Sequence, residues 1–159
     1  MNSMRKAHMR PGIFEAQQFD LICMFQVFDH IADPNELLGE CLRLLNPKGF
    51  ILTLNHNIES WSAQLLGERR PIIDIEHTYL YSPSTLERIF SLNGFDIVEQ
   101  GTVMNTYSLR YIFRLAPCPR SIKFLGLHAL RTSGLGHVLL TLPLGNMYLI
   151  AQKPKTRRP

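Results

Sequence analysis

Phe19-Asp20-Leu21-Ile22-Cys23-Met24-Phe25, then Asp33-Pro34-Asn35-Glu36, then Phe50-Ile51-Leu52-Thr53-Leu54 is the stretch that decides the fold. The first run is short and almost continuously apolar, which predicts a strand buried on both faces. At the second run Asp33 can cap free backbone donors, Pro34 suits the first helical position, and Glu36 stands where a capping-box acid belongs. Leu37, Leu38, Cys41, Leu42 and Leu45 then recur at helical spacing and make one apolar stripe. Asn46-Pro47-Lys48-Gly49 is turn chemistry, and Phe50 to Leu54 reads as a second buried strand. Strand, helix and strand within about 35 residues predict a βαβ unit with parallel strands.

Outward from that unit, Ser82-Pro83 opens a helix through Leu86, Ile89 and Phe90 that stops at Asn93-Gly94. A strand over Phe95 to Val98 follows, and a fourth over Met147 to Ala151 comes after a turn at Pro143 and Gly145. Two segments interrupt this alternation. Ile58 to Glu68 reads as an extra helix, and Ser108 to Arg131 as one or two basic amphipathic helices.

Composition narrows the function classes. A chain of 159 residues, 45% hydrophobic and 19% charged, holds one packed domain or a piece of one. Met1 to Arg10 is basic and polar with no apolar block behind it, so no secretory leader is expected. The longest stretch without Asp, Glu, Lys or Arg, Thr132 to Gln152, contains Gly134, Gly136, Pro143, Gly145 and Asn146, which argue against a membrane-spanning helix. Three widely spaced cysteines, with Cys23 and Cys41 inside apolar patterns, are expected to be buried thiols in a reducing cytoplasm.

Charge is unevenly placed. Eight basic and thirteen acidic residues up to Glu99 leave −5, whereas nine basic and no acidic residues after it leave +9. Such a split marks a surface for phosphates or anionic lipid, or else a basic helix and tail that serve solubility. No ribonucleoprotein motif or zinc finger accompanies it, so no nucleic-acid partner is expected. His56, Glu76 and His77 are too scattered to share a helix face, and no metal site is expected.

In a parallel α/β sheet, ligands sit beyond the carboxyl ends of the strands. Those ends are Phe25-Gln26-Val27-Phe28-Asp29-His30 and Asn55-His56-Asn57, both polar patches following apolar strands. A site is expected there on geometry alone.

Phe19-Asp20-Leu21-Ile22, Phe28-Asp29-His30, Asp33-Pro34, Leu37-Leu38 and Leu45-Asn46-Pro47-Lys48-Gly49 resemble the middle of class I S-adenosylmethionine-dependent methyltransferases. Asn57 with Ser60, Glu76-His77, Tyr81-Ser82-Pro83, Leu86 and Gly94-Phe95 continue the register, and Leu144 to Pro154 resembles the family's final strand. Each fragment alone is weak; the ordered set over residues 12 to 154 carries the resemblance. It implies a truncated Rossmann-like α/β sheet, with mostly parallel strands, a final antiparallel strand and inserted helices. The core would span 12–106 and 144–154, and 107–143 would be a basic helical insertion or lid. The family's opening strand, its glycine-rich turn and the acidic residue that binds ribose match nothing before Phe19.

The resemblance also implies roles. Ile13 and Phe14 would belong to the loop that packs against adenine. Phe25, Gln26 and Val27 would line the methionine part of S-adenosylmethionine, with Phe28 helping to wall the site. Phe25 and Phe28 can equally be core residues. Gln26 is hard to bury without a polar partner, which favours a functional role. His30, also near the cofactor, is read either as a base or orienting group or as an imidazole that holds the turn. Asn57, His77 and Tyr79 fall where the family places acceptor recognition, and Trp61 reads as helix packing.

The implied activity is methyl transfer to a small-molecule, lipid or sugar-linked acceptor. Its rivals are a catalytically inactive remnant serving as scaffold or partner subunit, and a peripheral protein that meets anionic membrane through 107–131. A homodimer through the apolar edge left beside the Phe19 strand is a further expectation. The location expected is the cytoplasm, with or without membrane association.

Overall fold

The computed structural model describes residues 13–60, 63, 78–116, 118–143 and 145–155. Strand β1 (Phe19–Phe25) leads through a 3-10 turn (Phe28–His30) into helix α1 (Pro34–Leu44) and strand β2 (Leu45–His56). Helix α2 (Pro83–Leu92) and strand β3 (Asp96–Thr102) follow. Strand β4 (Asn105–Ser108), helices α3 (Leu109–Leu115) and α4 (Arg120–Thr132), a 3-10 turn (Leu135–His137) and strand β5 (Leu139–Leu142) then precede the last strand, β6 (Asn146–Gln152).

The main sheet has the order β1-β2-β6-β3. β1 and β2 are parallel, and β6 runs antiparallel to both β2 and β3. The expected class therefore holds: a mixed Rossmann-like sheet with a final antiparallel strand.

Local chemistry explains the helix ends. Asp33 Oδ1 accepts from the Asn35 and Glu36 amides at 3.0 Å each, and Pro34 opens α1. Ser82 and Thr85 form a reciprocal capping box at the start of α2, again with Pro at the first helical position. Glu36 joins its own cap through its amide, and no reciprocal side-chain bond closes a box there.

Both helices pack on one face of the sheet. Leu38 and Cys41 of α1 and Leu86 and Phe90 of α2 close over Ile51, Met147, Leu149 and Ala151, with Phe28, Tyr81 and Phe95 completing the core. Each large apolar side chain fully buried there contributes roughly 1.5–3 kcal/mol relative to exposure.

The opposite face departs from expectation. β1 was expected to be covered on both sides, yet Leu21 and Phe25 are 54% and 57% exposed, and the Cys23 thiol is exposed with them. The register places Phe50, Leu52 and Leu54 beside these three residues, and Phe50 is exposed too. Among the described residues no helix covers this face, and no strand pairs with the outer edge of β1.

Two boundaries also shift. β2 begins at Leu45, directly after α1, so Asn46 to Gly49 is an irregular stretch of strand rather than a free turn, with Lys48 at φ 66°. β3 runs on to Thr102, four residues past Val98, because it keeps pairing with β6. The helix expected over 58–68 lies largely outside the described residues.

Residues 105–142 build a separate small unit. β4 and β5 pair antiparallel, Asn105 opposite Leu142 and Ser108 opposite Leu139, and enclose α3 and α4. Gly126 of α4 lies so close to Phe113 of α3 that a Cβ there would overlap the Phe113 ring. No described helix is long and apolar enough to cross a membrane.

Candidate active site

β1, β2 and β3 all end at the same rim of the sheet, and the antiparallel β6 begins there. Four polar residues meet at that rim. Gln26 follows β1 in the left-handed region at φ 53°, a conformation that costs an L-residue about 1–2 kcal/mol. Its amide donates to Leu54 O at 2.9 Å, which fixes the turn against β2.

The strained backbone aims the side chain across the rim. Gln26 Nε2 donates to Asn146 Oδ1 at 3.4 Å, and His56 Nδ1 lies 3.1 Å from the same oxygen. An amide oxygen only accepts, so His56 carries a proton on Nδ1. Gln26 Oε1 is left buried with no hydrogen-bond partner, which costs about 1–3 kcal/mol unless something donates to it.

Asn57 closes the other side. Its amide donates to Gly145 O at 2.7 Å, and its Oδ1 accepts from the Glu59 amide at 2.9 Å. Gly145, at φ 84°, turns the chain into β6 in a conformation that favours glycine. Gln26 and Asn57 thus share one rim, bridged by Gly145 and Asn146.

His30 lies on the turn after β1, and Tyr79 lies against that turn from the 78–81 segment. The His30 amide donates to Val27 O at 3.0 Å, and its half-exposed ring holds Nε2 4.0 Å from the Asp29 carboxylate. Asp29 itself is buried, and its carbonyl accepts from the Thr78 and Tyr79 amides at 2.9 and 3.1 Å. Tyr79 OH reaches Ala32 O at 3.3 Å, so the 78–81 segment crosses directly over the turn. Tyr81, underneath, packs its ring on Phe28 at 5.2 Å. Burial first, then the nearby Tyr79 and Asp29, push its hydroxyl up to about 12, so it stays protonated at neutral pH.

Not every expected site residue comes to this place. Phe25 and Val27 are exposed beside Gln26, whereas Phe28 is fully buried as a core residue. Phe14 sits at the other end of β1, stacked edge-on to Phe19 at 5.4 Å, with its carbonyl accepting from Arg43 at 2.8 Å. The seven residues of β1, about 20 Å of strand, thus separate Phe14 from Gln26. His77, Glu76 and Trp61 lie outside the described residues. The sequence reading missed Asn146, whose signal is an amide at the first residue of the returning strand.

A parallel sheet with one antiparallel strand and a polar rim at its carboxyl end is shared by many enzymes, and the comparisons decide among them. The family described as methyltransferase domain matches residues 3–100, more than half of the chain. The chain belongs to the methyltransferase domain family. A ubiquinone biosynthesis O-methyltransferase of Bartonella tribocorum is 27% identical over 93 residues, covering 54% of this chain and 38% of that one. A Haloferax volcanii methyltransferase, solved in complex with the Trm112 methyltransferase activator, superposes with a TM-score of 0.55 at 19% identity, over 89% of this chain and 57% of that one. An S-adenosylmethionine-dependent methyltransferase of Archaeoglobus fulgidus gives 0.52 at 19% identity, over 87% and 62%. The chain spans less than two-fifths of the length of the Bartonella relative.

Proposed function

We propose that the rim formed by Gln26, His56, Asn57 and Asn146 is one wall of a site for S-adenosylmethionine-dependent methyl transfer to a small-molecule, lipid or sugar-linked acceptor. The observation that carries this reading is the orphaned Gln26 Oε1, buried at the tip of β1 and in need of a donor. The ammonium of the cofactor's methionine end is such a donor, so the residues present fit that end. The cofactor, when bound, supplies a methyl group on a sulfonium sulfur.

Apart from His30, this chain's residues position and desolvate. Gln26 orients the methionine end, and Phe25 and Val27 keep water from it. Asn57 and Tyr79 are the acceptor-recognition groups; His77, expected to join them, lies outside the described residues. His30, whose Nε2 lies 4.0 Å from the Asp29 side chain, takes the acceptor proton. The relatives' name, ubiquinone biosynthesis O-methyltransferase, makes a hydroxyl the first acceptor to test.

A second reading has its own observation. The open edge and bare face of β1 leave the far side of the site without a wall among the described residues. A partner subunit that lays structure there would make this chain one part of a shared site or a silent scaffold. Calorimetric titration of S-adenosylmethionine and S-adenosylhomocysteine separates the two. Saturable binding by the chain alone supports the first reading, and its absence moves the assignment to the second.

A further inference from the structure

We infer that the 105–142 unit docks this protein on an anionic lipid surface, with the outer face of α4 as the contact. The inner face of that helix is already satisfied: Gly126, Leu127 and Leu130 turn inward, and Gly126 abuts Phe113 of α3. The outer face should then be polar, as on any surface helix. Instead Ile122, Phe124 and Leu125 stand 56%, 76% and 70% exposed. At helical spacing Leu125 lies mid-face, with Phe124 on one flank beside Arg120 and Arg131. Exposed large apolar side chains with arginine along one flank are the pattern of a helix lying in a membrane interface.

Charge identifies the occupant. The unit carries Arg110, Arg114, Arg120, Lys123 and Arg131 and no acidic residue, as is true of the whole chain beyond Glu99. None of the five makes an ion pair among the described residues. A protein partner with a greasy face would not require that uniform sign; an anionic bilayer does. Position adds a reason for the contact. The unit leaves the sheet after Thr102 and returns at Asn146, and the Val103 amide donates to Asn146 O at 2.9 Å. Its root is therefore the rim that holds Gln26 and Asn57, so a surface-bound unit would set that rim against the bilayer. Vesicle binding needs no cofactor, so this inference and the methyl-transfer reading fail separately.

The test is sedimentation of the full chain with phosphatidylcholine vesicles, with and without about 30% phosphatidylglycerol. Binding at least about tenfold tighter to the anionic vesicles, and weakened by salt, is expected. F124S/L125S and R120E/R131E should each reduce it about tenfold, with folding checked by circular dichroism. L92S removes an equally exposed side chain from α2 and should change nothing. Indifference to lipid charge would overturn the inference, as would an equal loss in L92S. A variant that becomes monomeric while keeping its vesicle binding would reassign the face to a second copy of this chain.

Discussion

Gln26 and Asn146 are 120 positions apart in the chain, yet the amide of one hydrogen-bonds the side-chain oxygen of the other at 3.4 Å. The contact ties the end of the first strand to the start of the last. It also holds Gln26 in the left-handed backbone that leaves its Oε1 buried and unanswered. Strain of this kind persists only where the surroundings enforce it, and it concentrates at sites that bind.

Replacing Gln26 separates strain from recognition. Gln26→Gly relieves the left-handed backbone that Gln26→Ala keeps, so the glycine variant should be about 1 kcal/mol the more stable of the two. Both should lose the cofactor equally. Urea unfolding measures the first effect and calorimetry the second; equal stabilities would show that the turn is not strained.

Alkaline pH should unfold the protein in a defined window. Burial first, and the Glu40 charge second, raise the Cys41 thiol from 9.0 to about 12. Between those values the unfolded chain gives up a proton that the folded chain keeps, so stability is full below pH 9 and is lost as pH rises. The slope approaches about 1.4 kcal/mol per pH unit, and Tyr81, raised from 10.0 to about 12, adds to it above pH 10. Cys41→Ala should flatten the curve between pH 9 and 10. In the native state Cys23 should alkylate while Cys41 does not, as read by mass spectrometry.

Helices α3 and α4 should part if Gly126 gains a side chain. The Cβ of Gly126→Ala would overlap the Phe113 ring, at a cost of about 1–3 kcal/mol, of which better helix propensity returns about 1. In the Phe113→Ala background the cost should vanish. A thermal double-mutant cycle with no coupling would mean that the two residues do not share this contact.

The β1 edge, unpaired among the described residues, should make the chain self-associate. Light scattering of the full chain should show a mass rising with concentration, and Leu21→Lys or Cys23→Lys should suppress the rise. A clean monomer at high concentration would show that the edge is covered.

Much of this molecule is written locally. Asp33-Pro34 and Ser82-Pro83 announce their helices because a cap and a first-turn proline act within four residues. The apolar stripes of α1 and α2 announce the buried face. What depends on distant partners is not legible. Asn105–Ser108 and Leu139–Leu142 are strands only because they pair with each other across α3 and α4. Cys23 reads as buried because its neighbours are apolar, but burial requires a covering layer that a single strand does not encode. Asn146 enters the site only when β6 folds back beside β2.

The central claim is that the tips of β1 and β2 receive the cofactor through Gln26. Titrating S-adenosylhomocysteine into the full chain and into Gln26→Ala tests it most directly. Saturable binding by the parent, weakened at least about tenfold in the variant, is the expected result. No saturable heat from the parent, or the same affinity in both proteins, would contradict it.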